Sequence, residues 1–263
     1  MKVPKSLVVV LFLILASSAM AVAQSSPSQF ITVYTITVNP GAVGQFEGYI
    51  KKIKEGAEKI GAPQTWGTSQ IAFGGPGNTY LIVLQFDKWS ELDGWKQVPE
   101  LLEEAYGADE AAKILRSGNM AIASSETSIG RLLPDLSYNV DSLTLAPMYQ
   151  IRVNHVKRDM QDEYRGVVAK LNEAWDKAGD GRHVIRRVSV LGPSTIYTSA
   201  IPMEKWADRD DQGNFWDMIE KAHGANETRR LRETLEASVA ESELFVITVR
   251  PDLSRSSTAG TSN

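Results

Sequence analysis

Five side chains in the second half of the chain are of types that could hold a ligand: Arg152, Asn154, His183, Arg187 and Tyr197. Arg152 and Asn154 alternate with Ile151 and Val153 along a β-like run, so that strand has one polar and one apolar face. If Ile151 and Val153 face helices, Arg152 and Asn154 point into the interior; the alternative is that the two faces are reversed. A guanidinium there needs a partner, either the carboxylate or another polar group of a ligand, or an internal carboxylate such as Glu126 or Glu243. His183 and Arg187 fall on one further strand, Arg187 as a second anion-holding group. His183 is either an orienting group or base at a cavity mouth, or a solvent-exposed imidazole at a strand end. Tyr197, on the next strand, is a hydrogen-bonding neighbour or a core aromatic.

Other chemistries find no support. Asp208-x-Asp210-x-Gln212-Gly213 opens like a calcium loop, but Gln212 and Ile219 occupy the fifth and twelfth positions, and the twelfth requires a bidentate carboxylate. Gly74, Gly75 and Gly77 are followed by neither Gly-Lys-Ser/Thr nor a helix, so they form a turn and not a phosphate cradle. The chain has no cysteine, which excludes disulfides and thiolate metal sites. No metal is expected.

The elements that position these residues occur twice. Gly75-Pro76 recurs as Gly192-Pro193, Tyr80 as Tyr197, Lys88-Trp89 as Lys205-Trp206, and Pro134-Asp135-Leu136-Ser137 as Pro251-Asp252-Leu253-Ser254, all at an offset of 117. Each copy reads as a strand, an amphipathic helix, a hairpin, a second helical region interrupted at Gly107 or Gly224, and a closing strand. Asp109 and Asn226 stand where an N-cap is expected after each glycine, and Trp89 and Trp206 look like matching structural plugs. On this offset His183 aligns with Trp66 and Arg187 with Gln70. The order β-α-β-β-α-β, written twice, predicts an α+β protein of two tandem ferredoxin-like units. A sheet with helices on one face needs a cover on the other, and the unalternating Leu81-Ile82-Val83-Leu84 predicts burial of both faces. The two sheets are expected to cover each other.

The predicted organisation is a leader over 1–23, a first unit over 29–137, a linker over 138–147, a second unit over 148–254 and an unstructured tail over 255–263. Lys2 and Lys5, the apolar Val8 to Leu15 and the small residues Ala21-Val22-Ala23 read as a signal for export to the periplasm or beyond the cell. Without the leader's two lysines the chain has 26 basic against 32 acidic side chains, a net charge of −6, which argues against nucleic acid and anionic membrane surfaces. No membrane contact is expected after cleavage. The two units should form a pseudo-dimer within one monomer, with higher oligomers open through exposed sheet edges.

This arrangement resembles the dimeric α+β barrel superfamily, over about residues 29–254, by element order and paired copies. The resemblance implies an inter-sheet cavity and several chemistries: cofactor-independent monooxygenases of the antibiotic-biosynthesis type, haem proteins such as chlorite dismutases and dye-decolourising peroxidases, and NIPSNAP-like proteins. For tandem haem members it implies a histidine with an arginine thirteen positions on. Val168, Ile196 and Glu236 stand thirteen after His155, His183 and His223, and the peroxidase Gly-x-x-Asp-Gly motif is absent, so no cofactor is expected. For monooxygenase-like members Asn154, Trp66 and Tyr197 are the matching residue types. Three readings follow: an exported barrel binding a small organic molecule, a cofactor-independent monooxygenase-like enzyme, and a structural or partner-binding protein with a filled barrel.

Overall fold

The structure, a computed structural model, describes residues 27–140, 146–191, 195–212 and 215–256. The expected leader, residues 141–145 of the linker, the Gly192-Pro193-Ser194 turn, Gly213 and residues 257–263 lie outside the described residues. The first half contains β1 (Phe30–Val38), α1 (Val43–Lys59), β2 (Gly67–Phe73), β3 (Thr79–Phe86), α2 (Val98–Tyr106), α3 (Ala108–Ala121) and β4 (Ile122–Leu132). The second contains β5 (Met148–Val156), α4 (Gln161–Ala178), β6 (Ile185–Leu191), β7 (Ile196–Met203), α5 (Phe215–His223), α6 (Ala225–Ser238) and β8 (Val239–Val249). No helix among the described residues is long and apolar enough to cross a membrane.

Gly107 and Gly224 divide the second helical region of each half because both take positive φ, 82° and 81°, which costs a side-chain-bearing residue steric strain. Each glycine caps the helix that follows, which begins one residue later. Asp109 and Asn226 therefore lie within the first turn and are not the N-caps expected from the sequence.

The eight strands form one closed antiparallel barrel in the order β1-β3-β2-β8-β5-β7-β6-β4. Within each half the first strand is central, flanked by the third and fourth. The halves join along two seams, β2 with β8 (Ser69↔Val249 to Phe73↔Val246) and β4 with β6 (Ile129↔Leu191 to Leu132↔Arg187). Closure abolishes the free edge at each seam. Helices lie outside, and α1 buries Phe46, Ile50, Ile53 and Ala57 on Ile36, Val38 and Tyr80.

The registers correct two expectations about facing. Val156 packs in one cluster with Tyr164 and Val168 of α4, so the even-numbered residues of β5 face the helices and Ile151 and Val153 face the barrel interior, the reverse of the expected arrangement. Val188 pairs with Tyr197 as Gln70 pairs with Tyr80, so β6 matches β2 at an offset of 118, not 117. Arg187 therefore matches Ser69, Val184 matches Trp66, and the alignments of Arg187 with Gln70 and His183 with Trp66 do not hold. A slip of one residue exchanges the faces of a strand.

Beyond each closing strand the chain crosses to the other half. After β4, Leu133 and Leu136 enter the core formed by Tyr164, Val168, Val188 and Tyr197, and Tyr138 bridges to Val184. After β8, Leu253 is fully buried among Phe46, Ile53 and Trp66, and its carbonyl accepts from Trp66 Nε1 at 2.9 Å and Thr68 Oγ1 at 3.1 Å. Arg255, expected in the unstructured tail, is buried instead, pairs with Trp66 and donates to the Ala62 carbonyl at 2.7 Å. Ion pairs fasten both crossings, Arg165 to Asp135 at 2.8 Å and Arg250 to Glu47 at 2.5 Å. The Arg250 hydrogen bond holds the Glu47 carboxyl below its ordinary range, while burial, and then the bond to Glu47, pushes the Tyr80 phenol up to about 12.

These exchanged arms couple the stability of the halves. Leu253→Ala and Leu136→Ala should each lower the unfolding free energy by about 2–5 kcal/mol, the range for truncating a fully buried leucine. Urea titrations followed by tryptophan fluorescence and far-ultraviolet dichroism should superimpose on one transition in every variant. Two separated transitions would show that each half stands without the other's arm.

Candidate functional site

The five residues singled out from the sequence fall in three places. Arg152, Asn154 and Tyr197 belong to one polar chain between the sheet and α4. Asn154 donates through Nδ2 to the Tyr164 hydroxyl at 2.9 Å and accepts at Oδ1 from Ser242 Oγ at 2.7 Å. Arg152, exposed, donates to Ser242 Oγ at 3.2 Å, where an internal glutamate was one expected partner. The Tyr164 and Tyr197 rings lie 4.9 Å apart, and Tyr197 donates to Gln161 Oε1 at 3.1 Å. The first half places Phe46 and Tyr80 at 4.8 Å with Ile36 beside them. The second half has therefore gained a matched hydroxyl and amide, each satisfying the other. Burial raises the Tyr164 phenol above its ordinary value, so this hydroxyl stays neutral. The expected inward-facing pair of Arg152 and Asn154 does not exist.

Arg187 does face the interior, but its guanidinium donates to the carbonyls of Ser28 at 2.8 Å and Gln29 at 3.3 Å, tying down the entry to β1. Burial lowers it to about 10. Its neighbour Arg186 drew no attention in the sequence and is buried on the helix side. It donates to the Leu136 carbonyl and, at 2.9 Å, to Asn172 Oδ1, with Trp175 stacked 5.2 Å away. Arg186 holds the crossing arm; successive strand residues point to opposite faces, so two arginines in a row were the signal that each face of β6 carries one cation.

His183 borders a cavity. A space of about 340 Å3 opens where the α4–β6 connection meets the end of β7, between Asp180, Arg182, His183 and Asp208 on its polar side and Ile201 and Met203 on its apolar side. Its origin lies in how the halves differ. In the first half Phe86 packs on Phe30 at 5.3 Å, Trp89 at 5.4 Å and Trp95 at 5.8 Å. In the second, Met203 and Met148 replace Phe86 and Phe30, and Trp206 lies edge-on to Phe73 of the first half at 5.1 Å, 44% exposed. Trp89 and Trp206 are thus not equivalent plugs.

The cavity's polar groups have defined roles. His183 Nδ1 lies 2.5 Å from the Asn139 carbonyl, which can only accept, so Nδ1 carries the proton and neutral His183 keeps a lone pair on Nε2. Asp180 pairs with Arg182 at 2.7 Å; burial pushes its carboxyl up, but the Arg182 hydrogen bonds outweigh this and hold it below its usual range. Asp208 Oδ2 accepts from the amides of Glu204 and Lys205 at 2.8 and 3.1 Å. Arg182, whose guanidinium stands 5.2 Å from Trp175, is the arginine beside His183, where Arg187 was expected.

Neither a protein-family model nor a curated protein matches the sequence. Among solved structures the chain is similar to a mutant chlorite dismutase from Candidatus Nitrospira defluvii, with a TM-score of 0.51 at 6% identity over 89% of this chain and 95% of that one. It is also similar to an anthrone oxidase-like protein (TM-score 0.49, 14% identity, 85% and 92% covered) and to a haem-binding protein from Thermus thermophilus (0.42, 13%, 87% and 94%). Such neighbours are dimeric α+β barrel proteins, and the likeness to the first gives this chain the same fold.

A haem does not fit the histidines present. His183 Nδ1 donates to the Asn139 carbonyl and leaves Nε2 open, so its bonding alone does not exclude a metal, while His223 Nε2 lies 2.9 Å from the Lys170 carbonyl. His155 Nε2 faces the Glu243 carboxylate at 3.9 Å on the projecting end of β5. The cavity described beside His183 has one apolar wall, but its other side is made of Asp180, Arg182 and Asp208, where a porphyrin requires apolar walls against both of its faces.

The Asn154–Tyr164 pair supplies a direct test. Tyr164→Phe should cost about 1–3 kcal/mol, because the buried Asn154 amide loses its acceptor. Adding Asn154→Ile, which restores the residues of the first half, should recover most of that loss. Thermal and urea unfolding of the two single variants and the double variant measure the coupling.

Proposed function

We propose that the protein is an exported small-molecule-binding barrel of two tandem ferredoxin-like units, whose ligand is a small organic molecule carrying a hydrogen-bond donor. The observation that carries this reading is the cavity beside His183. At about 340 Å3 it lies in the range of small-molecule sites, with an apolar wall and a few convergent polar groups. It is present in the half where polar side chains replace apolar ones. This differs from the inter-sheet cavity expected from the sequence: both cavities described lie outside the barrel. The Nε2 lone pair of His183 and the Asp208 carboxylate accept; Ile201, Pro202 and Met203 cover the ligand's carbon frame.

Binding is tested with p-cresol against 4-methylanisole, which has the same shape without a donor. Calorimetry should detect p-cresol and a response at least tenfold weaker, about 1.4 kcal/mol, for the ether. His183→Phe should reduce p-cresol binding to the level of the ether. Equal affinities for both molecules, or undiminished binding in the variant, would remove the proposal.

A catalytic reading of the same cavity draws on the fixed tautomer of His183, which leaves Nε2 able to take a proton from a hydroxylated aromatic substrate. Dioxygen uptake with 1,4-dihydroxynaphthalene that depends on the protein and is lost in His183→Phe would favour a cofactor-independent oxygenase over a binding protein. The export reading rests on the basic and apolar order of residues 2–23. Mass spectrometry of the protein secreted by its host should find Gln24 as the first residue.

A further inference from the structure

A second cavity, of about 330 Å3, opens at the start of α4, at the other end of that helix from His183. Eighteen helical residues separate the two by about 27 Å. Its walls are Arg158, Asp159, Gln161, Asp162, Arg165 and Tyr197. The matching residues of the first half are Pro40, Gly41, Val43, Gly44, Glu47 and Tyr80, so only the tyrosine is kept. On the first half part of this region is filled by the arm crossing from the second, where Arg250 bonds Glu47 beside the Tyr80 hydroxyl. In the second half the position of Arg250 is taken by Leu133, which cannot reach out in this way.

Three of the charges around this cavity are not used internally. The side chains of Arg158, Asp159 and Asp162 make no hydrogen bond or ion pair among the described residues, and Arg165 turns away to Asp135 at 2.8 Å. Opposite charges three apart elsewhere in the chain do close, Lys170 with Glu173 at 2.8 Å and Arg230 with Glu227 at 2.6 Å. Asp162 and Arg165 have that spacing and stay open. A simple anion entering here would meet Asp159 and Asp162, and a simple cation would meet Arg158 and Arg165. A guest with both charges meets complements for each.

We propose that this cavity binds a small zwitterion of the α-amino-acid type, its ammonium against Asp159 and Asp162 and its carboxylate against Arg158, with the hydroxyl oxygen of Tyr197 as an added acceptor. Titration calorimetry on the full chain with L-glutamine, n-butylammonium and butyrate tests it. L-Glutamine should bind, and each singly charged probe should bind at least tenfold more weakly. Asp162→Asn and Arg158→Gln should each weaken L-glutamine at least tenfold, while Glu58→Gln, on an exposed helix face of the first half, should leave it unchanged. Absence of heat with L-glutamine would overturn the proposal. So would equal binding of either singly charged probe, or undiminished binding in both cavity variants when their melting curves match the parent's.

Discussion

The exchange of Leu136 and Leu253 between halves is the constraint on which the rest of this structure depends. Each leucine is buried in a core whose other members come mainly from the opposite half, and each arm's backbone is held by side chains of that half. The barrel seams alone involve four residue pairs each, and ladder hydrogen bonds contribute little net stability when water competes for the same groups. Burying the two leucines adds a hydrophobic term, and the side chains that bond their carbonyls offset the cost of burying those polar groups.

Against this common frame the second half has drifted toward polarity. Asn154 and Tyr164 replace Ile36 and Phe46, Arg186 replaces Thr68, and charged residues replace Gly41 and Gly44 at the start of the first helix. Where such groups are buried they satisfy one another or the backbone, as Arg186 does on the Leu136 carbonyl and Asn172. Where they are accessible they line cavities. The loss of the Phe30–Phe86–Trp95 cluster has the same outcome by subtraction: methionines are slimmer and adaptable, and removing aromatic volume without refilling it leaves room.

Much of the frame was legible in the sequence because it is written twice. Matching Pro-Asp-Leu-Ser segments announced equivalent features after each closing strand, and the turn glycines announced the helix breaks. Which half each leucine enters was not legible, since likeness between segments says nothing about the surface each one docks against. The face of β5 was misread because Ile151/Val153 and Arg152/Asn154 alternate cleanly and both faces are covered, so the pattern fits either orientation until Asn154 finds Tyr164. The error over Arg187 has a smaller cause. The β2–β3 connection spans five residues, 74–78, and the β6–β7 connection four, 192–195. The copies therefore differ by 118 before this turn and 117 after it. Of the proposed ligand residues only His183 and Tyr197 border cavities, and the residues that give those cavities their charge, Arg158, Asp159, Asp162, Arg182 and Asp208, sit in connections and helix starts where neither strand nor helix periodicity marks a side chain's direction.

Joining both halves in one chain changes what each is free to become. In a symmetric pair of separate chains every substitution appears twice, so a residue that opens a cavity on one side opens it on both, and both cores bear the loss. Here Met203 weakens aromatic packing in one half while Phe86 keeps it in the other. The first half keeps the Phe30–Phe86 stack and receives Arg250 on Glu47, while the second builds its aromatic contacts elsewhere, around Tyr138, Trp175 and Phe215. Covalent linkage thus frees each half to vary without its counterpart varying in step.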